Sequence, residues 1–171
     1  LDDRGDKKEG YGKKAVEWYT KASEQGDVVS LAALASLYLE GIHVPHDTKK
    51  GVKLLTTGAE QGIPVAQRLL ADRYFDGEGI EQDLQKAAEW NTKAAEQGDA
   101  AAQQNLARQY LAGQGVTQDK QKAFKWLIHA VEHGGDAESQ ALLGHMYYRG
   151  IGTAQDDKLA ATQKLGIEVD P

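Results

Sequence analysis

The chain has 171 residues, a formal net charge of −6 and no cysteine, so a disulfide framework and a thiolate metal site are both excluded. Acidic and basic residues are interspersed, whereas a nucleic-acid binder usually carries a basic face, so that class of partner is disfavoured. No apolar run long enough for a transmembrane helix is present, and no basic segment followed by an apolar core indicates a signal peptide.

A unit of 36 residues recurs through the sequence. Glu-Gln-Gly at 24–26 returns at 60–62 and 96–98, and it becomes Glu-His-Gly at 132–134. Tryptophans 18, 90 and 126 and tyrosines 38, 74 and 110 follow the same step, and Tyr147 comes one residue late because Gly135 is an extra residue. A fixed period of this length is the signature of a repeat protein.

The pattern of apolar residues predicts two helices in each unit, helix A followed by helix B. Residues 13–26 form helix B of an incomplete first unit, and residues 1–5 match the tail of a preceding helix A. Because the chain also begins with Leu1 rather than methionine, we expect a fragment of a longer array. The later A helices are predicted at 28–40, 64–76, 100–112 and 137–149, and the B helices at 48–61, 84–97, 120–133 and 157–165. An aspartate suited to capping precedes each of these B helices: Asp47, Asp83, Asp119 and Asp156.

Small and aromatic residues alternate in the predicted packing surfaces. The small residues are Ala15, Gly51, Ala87 and Ala123 on the B helices and Ala35, Ala71, Ala107 and Gly144 on the A helices. We expect the tyrosines and tryptophans, including Trp18 or Tyr19 on the first apolar stripe, to fill the space that the small residues leave. No strand pattern appears. The predicted fold is therefore all-α, an α-α superhelix (a solenoid of antiparallel helix hairpins).

We predict one array over residues 1–171, with a partial unit at 1–26 and full units at 27–62, 63–98, 99–134 and 135–171. The last unit departs from the pattern, since Gln163 stands where Trp126 would recur. A more polar last helix is typical of a cap or of a truncated end.

The residues from Asp83 to Val116 match the sequence pattern of a known repeat family. Helix A ends in Leu106-Ala107-x-x-Tyr110-x-x-Gly113, the loop is Gly113-x-Gly115-Val116, and D-x-x-K-A-x-x-W-x-x-K-A-A-x-x-G runs from Asp83 to Gly98. This resembles the Sel1-like repeat, a relative of the tetratricopeptide repeat. The second unit departs from the pattern, because His43 replaces the second loop glycine and Gly51, Leu54 and Gly58 replace the usual Ala, Trp and Ala.

The resemblance implies an adaptor that holds other proteins together, as in bacterial envelope signalling, host interaction or eukaryotic endoplasmic-reticulum degradation. It favours a bacterial periplasmic, secreted or host-directed location. A cysteine-rich bacterial branch of the family is associated with β-lactam binding, and this chain lacks the cysteines of that branch.

Several residues are candidates for sites of chemistry. His129 and His133 lie four apart on a helix, and His43 and His46 flank Val44-Pro45, but neither pair has the three or four ligands that a metal site needs. The acidic loop at 76–83 lacks the ligand order of a calcium-binding loop. None of Ser23, Ser30, Ser36 and Ser139 has a lysine three residues later or lies in a nucleophile elbow. We predict no catalytic residue, no metal and no cofactor.

The remaining candidate is the concave face, which the A helices line in helix-hairpin solenoids. The A-helix positions outside the core differ from unit to unit, as a partner-binding groove requires, although a merely solvated face would also carry charged residues. The predicted contact residues are Arg68, Asp72, Asp76, Gln104, Arg108, His145, Tyr148 and Arg149. Arg68, Asp72, Arg108 and His145 form the centre, and Tyr148 is a candidate aromatic anchor.

The sequence thus predicts a non-catalytic scaffold that binds a protein or peptide, with no nucleic acid and no direct membrane insertion. Two alternatives stay open: a β-lactam-binding or other hydrolytic enzyme, and a structural spacer within a larger protein. The sequence leaves the oligomeric state open.

Overall fold

The structure, a computed structural model, describes residues 3–134 and 136–153, and side chains from residue 10 onward. These residues form eight helices: α1 (Asp3–Glu24), α2 (Val28–Glu40), α3 (Thr48–Glu60), α4 (Pro64–Asp76), α5 (Leu84–Glu96), α6 (Ala100–Ala112), α7 (Lys120–Glu132) and α8 (Ala137–Arg149). No strand occurs in this part of the chain, so the all-α prediction is confirmed. α2, α4, α6 and α8 are the predicted A helices, and α3, α5 and α7 are the predicted B helices. The B helix predicted at 157–165 and its cap Asp156 lie outside the described residues.

The predicted boundary near the start of the chain is wrong. Instead of a helix tail at 1–5 and a separate helix from residue 13, one continuous helix runs from Asp3 to Glu24. Three of the later loops carry two glycines two residues apart, whereas here Gly5 is followed by Asp6 and Lys7, so the second glycine is absent. Lysine and glutamate favour a helix, and no proline interrupts them, so the helix continues through this segment.

Aspartate side chains start most of the helices. Asp47 accepts a hydrogen bond from the Lys50 amide at 2.9 Å, and Asp83 and Asp119 make the same bond to Lys86 and Lys122. The predicted caps of these B helices are therefore confirmed. A second set caps the A helices, with Asp27, Asp99 and Asp136 accepting from the amides three residues later. α4 is the exception, because Ile63 precedes it and Pro64 occupies its first turn, where a missing N–H costs nothing.

The loop after α2 differs from the later loops at two neighbouring positions. Its second left-handed residue is larger than glycine, and the residue that it contacts on the preceding helix is a glycine. In the other loops the second left-handed residue is a glycine, with Gly79 at φ 74° next to Thr48 on α3. Here that residue is His43, at φ 62°, and the residue equivalent to Thr48 is Gly12 on α1. A Cβ at Gly12 would overlap the His43 ring, so the missing side chain on α1 makes room for the imidazole.

The described residues divide into two compact units between Lys93 and Ala94. The core of the first unit holds Ala35, Val52, Leu55, Ala59 and Leu70, with Leu39, Leu54, Tyr74 and Trp90 packed against them. Gly51 is buried in this core, and no side chain fits there. An added Cβ would lie 2.5 Å from Leu39 Cγ and 3.2 Å from the Ala35 carbonyl oxygen. The small residue predicted at this position is thus required by a close helix approach.

The core of the second unit consists of two clusters that share Trp126 and Tyr110. One contains Ala94, Ala95, Ala102 and Leu106; the other contains Ala107, Ala123, Phe124, Leu127, Leu143, Met146 and Tyr147. The Phe124 and Tyr147 rings meet edge to face with their centroids 5.0 Å apart. Trp126 therefore does what was predicted of the tryptophans, since it fills space beside alanines.

Buried glutamines join helix A to the preceding helix B. Gln67 donates through Nε2 to the Ala59 carbonyl at 3.2 Å, and Gln103 donates likewise to the Ala95 carbonyl at 3.0 Å. Both side chains are nearly fully buried, so these bonds satisfy carbonyls at helix ends that water cannot reach.

Candidate partner-binding surface

In the first unit, the predicted contact residues lie on α4. The Arg68 guanidinium lies 3.7 Å from the Asp72 carboxylate, one turn away, and both side chains are half-buried. Asp76, the last residue of α4, is exposed. The helix thus presents an ion pair and one further carboxylate.

In the second unit, polar side chains link α6 to α8. Arg108 forms an ion pair with Glu138; the Arg108 side chain is 43% exposed and the Glu138 side chain is 66% exposed. Gln104 donates through Nε2 to Asp136 Oδ1 at 3.2 Å. Because Gln104 is only 8% exposed, its amide serves the contact between the helices, and we leave it out of the proposed contact surface.

Asp136 is the polar centre of this contact. Its carboxylate also accepts the Ser139 amide at 2.8 Å and the Ser139 hydroxyl at 3.0 Å. These hydrogen bonds from Ser139, helped by the positive charge of Arg108 and the Gln104 amide, hold the pKa of Asp136 below its ordinary value. The start of α8 is therefore fixed relative to α6 while Asp136 is ionised.

The remaining predicted residues lie on the last turns of α8. His145 and Arg149 are exposed, and the Arg149 guanidinium lies 5.8 Å from the Tyr148 ring centroid. Tyr148 is 79% exposed. Its repeat equivalents, Leu39 and Leu111, pack against cores, whereas the Tyr148 ring is exposed.

The charges at these A-helix positions differ between the two units. On α2 and α4 they are acidic apart from Arg68, with Glu40, Asp72 and Asp76. On α6 and α8 the side chains compared are the basic Arg108 and Arg149, the imidazole of His145 and the acidic Glu138. The exposed Asp136 carboxylate at the start of α8 also interacts with Arg108, so acidic and basic side chains balance on this part of the second unit.

The histidine pairs make local contacts with neighbouring side chains and backbone atoms. The His133 ring nitrogen Nδ1 lies 2.8 Å from the His129 carbonyl and 3.2 Å from Gln103 Oε1, and the two histidine rings stack. His43 packs at Gly12, and His46 lies 3.3 Å from the Thr48 hydroxyl. Within residues 3–134 and 136–153, no group of three metal-ligating side chains comes together.

The candidate serines are also placed by the fold. Ser139 is buried and bonded to Asp136, and Ser23 donates its hydroxyl to the Thr20 carbonyl. Both hydroxyls therefore make local hydrogen bonds near helix ends. In the same described part, no helix is both long and apolar enough to cross a membrane.

Exposed apolar residues on α1 and α2 were not predicted. Trp18 was expected to fill space beside small residues, and that expectation is wrong, because its side chain is 66% exposed. Tyr11 and Val29 are 70% and 71% exposed. The exposure of Tyr11 could have been predicted from the sequence, because its repeat equivalents are the capping aspartates Asp47 and Asp83.

The comparison with protein families places these helix hairpins. The Sel1 repeat model matches residues 12–27, 28–63, 64–99, 100–135 and 137–161. The chain belongs to the Sel1 repeat family. The predicted resemblance and the predicted α-solenoid class of fold are thereby confirmed, and Sel1 repeat proteins are in general scaffolds for protein interactions, typically without enzymatic activity.

Solved Sel1-type structures are similar to the chain over most of its length. A protective antigen of uropathogenic Escherichia coli strains with an SLR fold is 35% identical, with a TM-score of 0.77 over 85% of this chain and 31% of that one. A Sel1 repeat protein from Oxalobacter formigenes is 33% identical, with a TM-score of 0.76 over 87% of this chain and 61% of that one. Cysteine-rich protein B of Helicobacter pylori is 25% identical, with a TM-score of 0.64 over 79% of this chain and 96% of that one.

The chain therefore spans about a third of the first of these proteins and about three-fifths of the second. Among the curated proteins, no match is found.

Proposed function

We propose that this Sel1 repeat chain is a non-catalytic scaffold that binds a protein or peptide on the exposed faces of its A helices. The observation that carries the proposal is a contrast between neighbouring positions. Ala35, Ala71 and Ala107 are repeat equivalents, are identical and are fully buried, and the fourth equivalent, Gly144, is also a small residue. The next position along, Ser36, Asp72, Arg108 and His145 in the successive units, differs every time. Packing requirements explain the constant position, and variation at the outward position is expected of a surface that selects a partner.

Exposed ion pairs support the same proposal. Surface pairs such as Arg108 with Glu138 contribute only about 0–1 kcal/mol to stability, so stability gives little reason to place them there. Arginine and aromatic residues are enriched where binding energy concentrates at interfaces. Arg68 and Arg108 are therefore the residues that we expect to matter most to the partner.

A matched pair of triple variants tests the proposal. In one variant, alanine replaces Arg68, Asp72 and Arg108 on the A helices. In the control, alanine replaces Lys53, Glu89 and Lys125, which are exposed on the B helices α3, α5 and α7. Both variants and the parent chain are used to capture proteins from a lysate of the source cells, after far-UV circular dichroism has shown equal helix content.

The A-helix variant is expected to lose a stoichiometric partner that the control retains. Equal capture by both variants would contradict the assignment to the A helices. If the parent itself captures no stoichiometric partner, the spacer alternative is favoured. The hydrolase alternative predicts turnover of a chromogenic β-lactam or an acylated mass after incubation, and either result would overturn the non-catalytic proposal.

A further inference from the structure

We propose that the chain forms a dimer in which α1 packs antiparallel against α1 of a second copy. The contact face consists of four side chains on α1, which we call the α1 stripe: Tyr11, Ala15, Trp18 and Ala22. This inference goes beyond the partner-binding proposal and does not depend on it. Its functional consequence is that one particle carries two sets of A helices, which raises the avidity for a partner with two binding segments.

The α1 stripe is an apolar surface along one side of the helix. Its members follow the spacing i, i+4, i+7 and i+11, which places side chains on the same side of a helix. Tyr11 is 70% exposed and Trp18 is 66% exposed, and the two alanines are half-buried. Two aromatic rings therefore stand largely open to solvent, two helical turns apart.

The later repeats show what covers this side of a B helix. Trp126 on α7 is the repeat equivalent of Trp18. It packs against a cluster of small and aliphatic side chains on the two preceding helices, α5 and α6: Ala94, Ala95, Ala102 and Leu106. In this architecture, the side of a B helix that carries the tryptophan is thus a surface on which other helices pack. The occupant expected on the α1 stripe is a helix with small side chains.

An upstream hairpin of the same chain cannot take that place on α1. The loop between α2 and α3 aligns with residues 5–11, so these residues would have to form the turn that folds such a hairpin back onto Trp18. Instead, α1 is helical from Asp3 to Glu24. Tyr11 also stands where Asp47 caps α3, and tyrosine is not a capping residue. The helix that covers the α1 stripe is therefore assigned to a second molecule.

The α1 stripe is complementary to itself in the antiparallel orientation. A two-fold axis midway between Tyr11 and Trp18 places the Tyr11 ring of each copy opposite Trp18 of the other, so the same aromatic contact forms twice. Ala15 then lies next to the axis, where a small side chain allows the two helices to approach to about 8–10 Å. A second copy thus supplies both the small residue and the rings that the stripe requires.

The area of the α1 stripe predicts a weak dimer. A fully buried aromatic side chain removes about 150–250 Å² from solvent, so the exposed parts of Tyr11 and Trp18 offer about 200–350 Å² per copy and about 400–700 Å² in the pair. Stable interfaces bury about 1,200 Å² or more in total. A reversible dimer that dissociates on dilution is therefore expected, with the monomer prevailing in dilute solution.

Sedimentation velocity of the whole chain tests the dimer, in a dilution series from about 500 to about 1 µM. The parent chain is expected to pass from dimer to monomer across the series. Trp18→Ala should raise the dissociation constant about tenfold or more, because each copy loses its ring from the contact. Tyr148→Ala is the control, since it removes a ring that is 79% exposed on α8, and it should leave the dissociation constant unchanged. Far-UV circular dichroism establishes that both variants keep the helix content of the parent.

A disulfide test reports the position of the two-fold axis. The chain has no cysteine, so Ala15→Cys introduces a single thiol next to the proposed axis. Two such thiols come within the distance at which a disulfide forms, with Cα atoms about 4.4–6.8 Å apart. Mild oxidation should therefore link Ala15→Cys chains into covalent dimers faster than it links Lys125→Cys chains, in which the thiol lies on the exposed side of α7.

Three results would overturn the inference. The chain could remain a monomer at every concentration, which would give the α1 stripe to an occupant other than a second copy. Tyr148→Ala could weaken the dimer as much as Trp18→Ala, which would indicate nonspecific association of exposed rings. Ala15→Cys could be linked no faster than Lys125→Cys, which would exclude an axis at the α1 stripe. None of these results bears on the capture experiment with the A-helix variants, so the proposed function is tested separately.

Discussion

The contact between Gly12 and His43 gives a prediction that the structure defines closely. Replacing a helix-interior glycine by alanine normally stabilises a helix by about 0.5–1 kcal/mol. At Gly12, however, the added Cβ would overlap the His43 ring, and overpacking of this kind costs about 1–3 kcal/mol. At Gly10, in the same helix, nothing lies within 4 Å of an added Cβ. The free energy of unfolding of Gly12→Ala should therefore fall about 1–3 kcal/mol below that of Gly10→Ala.

Urea unfolding followed by far-UV circular dichroism measures both variants, and the double variant Gly12→Ala/His43→Gly separates the cause. His43 lies at φ 62°, a conformation that glycine adopts readily, so His43→Gly is tolerated by the backbone. In the His43→Gly background, Gly12→Ala should recover the ordinary helix gain of about 0.5–1 kcal/mol. Equal effects of Gly10→Ala and Gly12→Ala, or the same cost of Gly12→Ala with and without the imidazole, would refute the described contact.

Three further predictions concern stability. Trp126→Ala should lower the free energy of unfolding by about 2–4 kcal/mol because the indole packs against the core. Trp18→Ala should change the free energy of unfolding by no more than about 0.5 kcal/mol because the side chain is exposed. Similar losses for the two variants in urea titrations would contradict the burial described. Gly144→Ala should raise the thermal midpoint, since nothing lies within 4 Å of the added Cβ and the helix gains about 0.5–1 kcal/mol; a lower midpoint in calorimetry would count against the packing of α8. Because the pKa of Asp136 is lowered in the folded chain, its contribution to stability is fully present above its ordinary pKa and is lost as pH falls through the folded value. Asp136→Asn should therefore lose less stability than the parent chain when the free energy of unfolding is measured from pH 5 to pH 2 in about half-unit steps. Identical acid profiles would refute the role of the ionised cap.

The fold could be predicted because each repeat states the same local requirements. The bounds of α2, α4, α6 and α8 agree with the expected A helices, since a glycine follows each helix and a capping aspartate, or Pro64 in the case of α4, marks its start. Near the start of the chain the prediction fails. The absence of the second loop glycine after Gly5 let α1 continue, although the repeat period alone indicated a break.

The candidate site was less predictable because contacts between helices decide what each side chain does. Repeat position alone grouped Gln104 with Arg108, but the structure buries Gln104 against Asp136 and leaves Arg108 exposed beside Glu138. Likewise, Trp18 and Trp126 share a repeat position and differ in exposure. A period in sequence gives the facing of a residue on its own helix, whereas burial depends on what packs against that face.

The most direct test of a partner-binding A-helix face is photo-crosslinking from single positions. A photoreactive residue placed at His145 on α8, and in a second protein at Lys125 on α7, is activated in the presence of cell lysate, and the crosslinked proteins are identified by mass spectrometry. Both positions are exposed, so accessibility does not favour either. A specific protein crosslinked from position 145 and absent from position 125 is the predicted result. The same products from both positions, or products from position 125 alone, would contradict the account.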